Sequence, residues 1–447
     1  MISKRLDPTN GNVWKIYLRY GIPWSLGFLM LSSAGLVDAI FIGRCAGATA
    51  LAGVNVAGPI ISFFNCLGIM LAVGGTVATA KFVGRGNIRS ACTMFSRTML
   101  GLLLVGLSFA VLALLFLDQV VALLGAREEL IAPTRTYVRT LMLFGPIMPC
   151  SFALAQFARV DEHPTLASFG LGVTAAVNIS LDALFIGLLD WGVLGAALAT
   201  GIGFTCSGLL LLTHFLSSRS RLRFRWPGKG WRVLLRTGRN GAAAALNEFS
   251  IGTIIVVLNH LMFAQFGANG VAAYTVVNYG AWFGLTLAFG MSDTLSPLVS
   301  ANLGARKRER IRALLRVGLK TLLVIGVGIL LVFTFWPQQI IDLFVPGNAP
   351  VAAIALDFID VYRWNFIFSS INMGLICFFT GLHLSSQALT VAMLRSLIMR
   401  LVLLMALPPL LGVAGIYAAL PLAEVLTLGV AVVLMLKARR HLDTFLK

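Results

Sequence analysis

Residues 178–200 read NISLDALFIGLLDWGVLGAALAT, which is the end of one apolar helix, a short break and the start of another apolar helix. Asn178 and Asp182 are four residues apart, so their side chains project from one face of the first helix. Thr200 follows the break at Asp190, and at ~1.5 Å rise per residue both Thr200 and Asp182 lie roughly 12–15 Å from the same loop. A carboxylate at this depth in an apolar span is expensive and indicates a functional site.

The composition of the whole chain is that of a polytopic membrane protein. Its 447 residues are 58% hydrophobic and only 12% charged, whereas soluble domains carry about 25% charged residues. The six cysteines are scattered without a Cys-x-x-Cys pair, so they predict neither a disulfide framework nor a zinc site. The N-terminus lacks a cleavable signal pattern, and we expect the first helix to be retained.

Apolar stretches of the length that crosses a bilayer, about 20 residues or more, occur twelve times along the chain. The predicted spans are 20–43, 52–80, 92–117, 132–158, 166–189, 192–216, 241–266, 271–303, 311–336, 352–380, 387–411 and 413–436. The sequence therefore predicts an all-α membrane protein with twelve transmembrane helices.

The net charge of +18 has an uneven distribution over the loops. Of the 35 Lys and Arg residues, 28 lie on the side of the two termini and two lie inside span 11. The opposite side holds five, namely Arg44, Arg127, Arg135, Arg139 and Arg363. By the positive-inside rule this bias predicts a multi-pass protein of the cell (inner) membrane with both termini in the cytoplasm. The basic charge thus reflects topology, and we expect no nucleic-acid partner.

An internal repeat relates the two halves of the chain at an offset of 220 residues. The offset superposes glycines near the start and end of each half, namely Gly47 on Gly267, Gly84 on Gly304, Gly192 on Gly412 and Gly195 on Gly415. Six spans per half give both halves the same orientation, so the repeat is parallel. We expect an N-lobe over 1–216, a basic cytoplasmic linker against anionic headgroups over 217–240, and a C-lobe over 241–447.

Span 1 contains a second buried acid and a proline. Asp38 lies about eight residues from the outer loop at 44–51, which puts it at a depth similar to that of Asp182. Pro23, inside the same span, predicts a kink or a hinge because proline frees a backbone carbonyl. The sequence thus favours a convergence of two carboxylates, an amide and a hydroxyl from spans 1, 5 and 6.

These features together resemble the multidrug and toxic compound extrusion (MATE) transporters over nearly the whole chain. The resemblance rests on Pro23 and Asp38, the glycine turns of each half, the 178–200 hairpin, and the closing stretch at 393–426, MLRSLIMRLVLLMALPPLLGVAGIYAALPLAEVL. It implies a monomeric transporter without enzymatic activity, which exports organic, often cationic and aromatic compounds by antiport against H⁺ and/or Na⁺. It further implies that the family's cation or proton site falls on Asp38, Asn178, Asp182 and Thr200, with no cofactor besides the coupling ion.

The second lobe departs from the first, since Leu258 stands where the repeat would place an equivalent of Asp38. The C-lobe has Glu248 in span 7 and Asp293 in span 8, at a shared depth, which predicts either a proton-sharing pair or a docking point for a cationic drug. The alternative is that Arg395 neutralises each of them. Ser369 occupies the position at which some MATE members carry an aspartate.

Other polar and aromatic residues inside the spans have two interpretations each. Arg400 and Glu424 lie level on adjacent helices and predict a buried ion pair that fixes helix register. A drug cavity could be lined through stacking on cations, or the same side chains could simply pack; these are Trp24, Phe28, Asn278, Tyr279 and Trp282.

Two other functions remain open at this stage. A lipid-linked precursor flippase of the same superfamily would tend to have extra spans and a basic cavity. A polytopic membrane enzyme, such as an acyltransferase, would need a nucleophile with its base or a metal cluster. The five histidines are dispersed without metal-ligand spacing, and the absence of a P-loop excludes ATP as the energy source.

Overall fold

The computed structural model describes residues 7–124, 126, 128–226, 232–344 and 349–445, and helix is the only regular secondary structure within those ranges. The first half contains α1 (Val13–Phe41), α2 (Ala48–Gly84), α3 (Ile88–Leu115), α4 (Leu117–Leu123), α5 (Ile131–Leu143), α6 (Ile147–Val160), α7 (Pro164–Asp182) and α8 (Gly192–Leu216). Two π-helical turns, Ile42–Ala46 and Ala183–Leu188, continue α1 and α7.

The second half begins with one long helical stretch, α9 (Arg232–Gly304), which Gly267 divides into two spans. It is followed by α10 (Arg308–Phe335), α11 (Pro337–Phe344), α12 (Ala349–Tyr362), α13 (Asn365–Gly381), α14 (Ser385–Met393), α15 (Met399–Ala406), α16 (Pro408–Leu411) and α17 (Val413–Phe445). A third π-helical turn, Leu394–Ile398, joins α14 to α15.

Twelve membrane spans can be assigned from these helices. By length and apolar composition, nine helices of the described ranges could each cross a membrane, and the bent pair α5–α6 makes a tenth. The remaining two spans are 268–304 of α9 and the pair α12–α13, which the 220-residue offset makes the equivalents of α2 and of α5–α6. The predicted twelve-helix fold is therefore confirmed.

Three of the predicted spans differ from the helices of the structure. Spans 4 and 10 are not continuous helices. The first bends by 52° between α5 and α6, where Pro146 cannot donate a backbone hydrogen bond. The second is interrupted between Tyr362 and Asn365. Span 7 begins at Arg232, inside the stretch assigned to the linker, while residues 227–231 of that linker lie outside the described ranges.

The parallel repeat is visible in the backbone itself. Positive φ angles occur at positions 220 residues apart: Gly47 (93°) and Gly267 (60°), Gly86 (73°) and Arg306 (57°), and Gly192 (50°) and Gly412 (60°). A positive φ is a costly turn conformation for any residue except glycine. The two halves therefore turn at the same points, which confirms the predicted offset.

The two lobes pack against each other at the end of the molecule where the first and last helices begin and finish, here called the termini end. Gly84 at the end of α2 lies against the carbonyl of Ala301, and its repeat equivalent Gly304 lies against the carbonyl of Lys81. A β-carbon on either glycine would collide with the opposing backbone. This symmetric contact holds the lobes together at the termini end.

The start of the linker is attached to the N-lobe. The backbone N–H groups of Arg221 and Leu222 donate to Asp161, and that of Arg225 donates to the Ser96 hydroxyl, while the side chain of Arg225 is exposed. The described part of the linker is therefore held against the N-lobe by backbone hydrogen bonds and by the ion pair of Arg221 with Glu162.

Candidate functional site

The structure brings together the four N-lobe residues that the sequence singled out. Asp38 in α1 and Asp182 in α7 have their carboxyl groups within hydrogen-bonding reach of each other. Asn178, one turn before Asp182, donates its Nδ2–H to the Oγ1 of Thr200 in α8 at 3.3 Å. Tyr137 of α5 lies near enough to interact electrostatically with both carboxyl groups, and the sequence analysis did not single it out.

The oxygens of this acid pair lack hydrogen-bond donors. Asp182 is fully buried, and both of its carboxylate oxygens, with Oδ1 of Asp38, find no hydrogen-bond partner among the described residues. Two adjacent, dry carboxylates cannot both be ionised without a compensating charge. Such a set of oxygens fits either a shared proton or a hard cation such as Na⁺.

Each of the two acids precedes a π-helical turn. The turn Ala183–Leu188 follows Asp182 directly, and the turn Ile42–Ala46 begins one helical turn after Asp38. The two turns contact each other. π-helical turns are rare and often occur at functional sites, but no sequence pattern used here predicts them. The acid pair thus lies next to the least regular backbone of the N-lobe.

A cavity of about 1320 Å³ lies between the two lobes. It extends from Thr380, near the termini end, to Leu343 and Phe344 at the opposite end. The α1 residues that line it include Gly35 and Ala39, but Asp38 is not among the lining residues. The N-lobe acid pair is therefore separated from the cavity by the wall that α1 forms.

Most of the residues predicted to face a drug cavity do line it. Phe28, Asn278, Tyr279 and Trp282 belong to the wall, as do the two C-lobe acids Glu248 and Asp293. Trp24 is a correction: it is fully buried and does not line the cavity. Its ring lies beneath Phe28, edge-to-face at a centroid distance of 5.1 Å, so of the two interpretations given for this residue it is packing that applies.

The two C-lobe acids have different surroundings. Asp293 forms a salt bridge with Arg159 of α6, Nη2 to Oδ2 at 2.7 Å, and accepts a hydrogen bond from Trp24 Nε1 at 2.9 Å. Glu248 lies near Cys66 of α2, and no hydrogen bond or ion pair joins it to another residue in the described parts of the chain. Proton sharing between Glu248 and Asp293 therefore has no support in the contacts.

Arg159 is the main functional candidate that the sequence analysis missed. The count of Lys and Arg residues placed Arg159 in a loop on the side of the termini. Its side chain is only 1% exposed, so the number of Lys and Arg residues in the loops of that side falls by one. The available signal was Gln156, three residues earlier on the same apolar helix face, whose side chain contacts Arg159. A polar pair at this spacing in a membrane span indicates an interior partner.

Arg395 does not neutralise Glu248 or Asp293, contrary to the alternative expected from sequence. Its Nε lies 3.0 Å from Oε1 of the fully buried Glu424, and its Nη2 donates to the Oγ of Ser369 at 2.7 Å. Arg400 contacts the same carboxylate at 2.9 Å, so the predicted ion pair exists within a larger cluster. Its role in fixing helix register remains a prediction.

The C-lobe has no equivalent of the N-lobe acid pair. The 220-residue offset places four apolar side chains at the corresponding positions, namely Leu258, Ile398, Val402 and Leu420. Within the described part of the molecule, the oxygen-rich cluster is therefore a feature of one lobe.

Pro23 lies inside α1, one residue before Trp24, and the helix continues through it without a break. Its function as a hinge remains a prediction.

The histidines are less dispersed in space than in sequence. Asp161, His163 and His214 place one potential metal-ligand atom each within 4.8 Å of one another at the termini end. The Asp161 carboxylate is already engaged, since it lies 2.8 Å from His214 Nε2 and accepts the linker backbone amides. This cluster therefore anchors the linker to α6, α7 and α8.

Comparison with known proteins shows similarity over the full length. The model of the MatE family matches residues 23–184 and 245–405. The Multidrug export protein MepA of Staphylococcus aureus (strain MRSA252) is 26% identical over 442 residues, covering 97% of this chain and 96% of the relative. MepA of Staphylococcus saprophyticus is also 26% identical, over 92% of this chain and 91% of the relative.

Solved structures share the fold. An outward-facing MATE family transporter of the MOP superfamily superposes with a TM-score of 0.90 at 21% identity, covering all of both chains. A MOP superfamily transporter from Pyrococcus furiosus, for which a reversed polarity of the binding pocket is described, gives the same TM-score at 20% identity over both full chains. At this identity the similarity shows the two-lobe, twelve-helix fold.

Proposed function

Because this chain belongs to the MatE family, we propose that it is a secondary active multidrug exporter, which moves organic compounds by cation antiport with alternating access. The chain is a multi-pass membrane transporter of small molecules and not an enzyme. The observation that carries the proposed mechanism is the acid pair Asp38–Asp182, whose oxygens lack donors and lie outside the cavity wall. A coupling ion and a substrate thus have separate places to bind.

The inter-lobe cavity is the proposed substrate site. Its aromatic side chains, Phe28, Tyr279 and Trp282, can stack on flat or cationic compounds. Glu248 supplies an acid without a basic partner among the described residues, which favours cationic substrates. A large, mostly apolar cavity with few polar groups suits many chemically different compounds.

The N-lobe cluster is the proposed coupling site. A proton or a Na⁺ ion that binds between Asp38 and Asp182 removes the cost of two dry charges, and Asn178 and Thr200 can supply further oxygens. Coupling requires that the ion bind one conformation of the lobes better than the other. The π-helical turns after both acids and Pro23 in α1 are the backbone features through which this difference can reach the cavity wall.

We further propose that the protein lies in the cell membrane as a monomer in contact with lipids, with its termini end in the cytoplasm. The support is the excess of Lys and Arg on that end, including the exposed arginines of the linker between the proposed domains 1–216 and 241–447. The cavity then opens away from the cytoplasm, as in an exporter that releases its substrate.

Transport in liposomes tests the proposal. The purified protein is reconstituted, and export of ethidium is followed while a H⁺ gradient or a Na⁺ gradient is imposed separately. We expect concentrative export with at least one gradient, and none without a gradient. If neither gradient drives export of ethidium or of a panel of other organic cations, the proposed function is wrong. Movement of a lipid-linked precursor in the same assay would favour a flippase.

A further inference from the structure

Asp293 connects the two lobes through one of its oxygens. Its Oδ2 atom accepts hydrogen bonds from Arg159 Nη2 at 2.7 Å and from Trp24 Nε1 at 2.9 Å, and it lies 3.5 Å from Gln156 Nε2. All three donors belong to the N-lobe, on α1 and α6, while the acceptor belongs to α9 of the C-lobe. The contact is therefore broken if the lobes move apart at this level.

The contact with Asp293 stabilises the buried positive charge of the Arg159 side chain. This side chain is 1% exposed, and its guanidinium carbon lies 3.8 Å from the centroid of the Trp24 ring. Its Nε and Nη1 atoms find no hydrogen-bond partner among the described residues. A buried guanidinium with so few acceptors is stabilised mainly by the carboxylate and the aromatic face. Separation of Asp293 from Arg159 is thus unfavourable unless other charges or water replace the carboxylate.

The Arg159–Asp293 pair lies where it can affect both the closure of the lobes at the termini end and the binding of a substrate in the cavity. Asp293 and Gln156 line the cavity, whereas Arg159 and Trp24 lie behind them. Toward the termini end the lobes are in direct contact through Gly84 and Gly304. Any opening of the cavity to the termini end must draw α9 away from α1 and α6, which removes Arg159 from the Asp293 carboxylate.

We propose that Arg159 competes with cationic substrates for Asp293, so that Asp293 is neutralised while the termini end is closed and becomes a cation-binding acid when that end opens. This inference rests on the proposed export function. It adds that Arg159 makes the affinity for a cationic substrate depend on whether the termini end is closed or open. In the closed arrangement a cationic compound meets a carboxylate that already holds a guanidinium. In the open arrangement the same carboxylate has lost its partner.

The consequence is a difference in substrate affinity between the two states. A substrate cation binds well when the cavity faces the termini end, and it is displaced from Asp293 when the lobes close and Arg159 returns. Only such a difference in affinity can couple binding to conformation. Glu248 has no arginine partner among the described residues, so its attraction for cations does not depend on whether the lobes are closed.

The chain contains a matched control for the distance measurement. Arg400 also contacts a buried acid, Glu424, but it lines the cavity, and both residues belong to the C-lobe. Glu424 also keeps Arg395 as a second partner. Replacing Arg400 by glutamine likewise removes a guanidinium from a buried carboxylate, but it does not affect a contact between the lobes.

Distances between spin labels measure the closure. The labels are placed at Arg89 and Glu309, exposed residues 220 positions apart at the termini ends of α3 and α10, in full-length protein whose six native cysteines are replaced. We expect Arg159→Gln to raise the ratio of long to short distances about tenfold, within the range of typical allosteric couplings. The same variant should bind ethidium about tenfold more tightly. Arg400→Gln should leave the distances between the labels unchanged.

Further variants separate competition from a purely structural role. Asp293→Asn should also increase the long distances, but it should weaken ethidium binding because the acid is lost. Arg159→Lys should restore most of the closure. Trp24→Phe keeps the aromatic face but removes one hydrogen-bond donor to Asp293. It should also increase the long distances, but by less than Arg159→Gln. This variant provides a test if Arg159→Gln does not fold.

Two results would overturn the inference. Unchanged distances in both Arg159→Gln and Trp24→Phe would show that the pair does not hold the lobes closed. An increase in long distances without tighter ethidium binding would show that Arg159 does not compete with the substrate. Neither measurement depends on transport, so a failure of gradient-driven export would contradict the proposed function and leave this test intact.

Discussion

At the scale of single residues, the interior acids differ in how their charge is balanced. Asp293 and Glu424 are paired with arginines, which balance their charge in this arrangement of the lobes. Asp38 and Asp182 have only each other, with oxygens that find no donor in the described part of the protein. Glu248 lines the cavity without an ion-pair partner among the described residues. The pair Asp38–Asp182 and Glu248 can therefore change their protonation or their ligand during a transport cycle without exposing a buried arginine.

The acid pair gives the first prediction. Asp38→Asn or Asp182→Asn should lower gradient-driven export at least about tenfold, to the rate without a gradient, because one remaining carboxylate can be neutral without the coupling ion. Asn178→Ala and Thr200→Ala should weaken export less. Efflux from liposomes and expression level are measured together. Asp342→Asn, which changes an exposed acid of α11, is the control. Export by Asp38→Asn at the unmodified rate would mean that coupling occurs elsewhere.

Glu248 gives the second prediction. Glu248→Gln should reduce export of cationic dyes several times more than export of neutral compounds of similar size, because it removes the unpaired charge of the cavity wall but little volume. The measurement is the ratio of the two export rates in the same liposomes. An unchanged ratio would show that this acid does not select for charge.

At the scale of elements, the helices are interrupted where the fold must turn or move. Glycines with positive φ separate helices at the repeat positions, and π-helical turns follow the acids of α1 and α7. The break at Gly267 is needed because 73 residues of continuous helix would be far longer than a bilayer is thick. Pro146 has the same effect between α5 and α6.

The third prediction concerns this break. Gly267→Ala should lower the stability of the purified protein by about 1–3 kcal/mol, because φ of 60° with ψ of −146° is a region for glycine alone. No neighbouring atom lies within 4 Å of the added β-carbon, so the effect is that of the backbone. Gly252→Ala, in the helical part of α9 with equally open surroundings, should be neutral or stabilising. Equal melting temperatures for the two variants would contradict the assignment.

At the scale of the whole molecule, polar contacts complete the closure at the termini end. The Ser300 hydroxyl of the C-lobe donates to the backbone carbonyl of Val77 in the N-lobe at 2.6 Å. His383 lies 3.0 Å from the same hydroxyl and 3.3 Å from Asn240 Nδ2. Ser300 uses its only proton for the Val77 carbonyl, and the amide nitrogen of Asn240 can only donate. The neutral histidine must therefore donate through Nε2 and accept at Nδ1.

The fourth prediction is a pH dependence. Burial, with the positive charges of Lys81 and Arg85, lowers the pKa of His383 from 6.5 to about 3. The folded state thus prefers the neutral ring, so this contribution to stability is present above pH 6.5 and is lost as the pH falls from 6.5 toward 3. The melting temperature should therefore fall more between pH 7 and pH 4.5 in the unmodified protein than in His383→Gln. Parallel curves would exclude His383 as the titrating group.

The fifth prediction concerns orientation. A cysteine at Arg225, exposed at the termini end, should resist a membrane-impermeant thiol reagent in intact cells, whereas a cysteine at Asp190, exposed at the opposite end, should react. Both are introduced into the background without native cysteines. Residue 228 would be a further labelling position in the predicted linker but lies outside the described residues. The reverse labelling pattern would invert the proposed topology.

The sequence by itself determined the properties that depend on position along the chain. Span lengths, the charge bias and the 220-residue repeat follow from the thickness of the bilayer and from local glycine and proline chemistry, and they can be read without knowing any tertiary contact. The depth of Asp38, Asn178, Asp182 and Thr200 could be read in the same way, because depth is proportional to residue number within a helix.

Only the tertiary structure decided which side chains of equal depth meet. Depth does not fix the rotation of a helix or the identity of its neighbour. The sequence therefore paired Asp293 with Glu248 or with Arg395. In the structure, the bend at Pro146 and the packing of the lobes bring Asp293 to Arg159. For the same reason the sequence left open whether Trp24 lines the cavity or packs, and in the structure it lies behind the cavity wall. The partner of a buried charge is chosen by the packing of distant elements, since in a low dielectric its energy depends on atoms within a few ångströms.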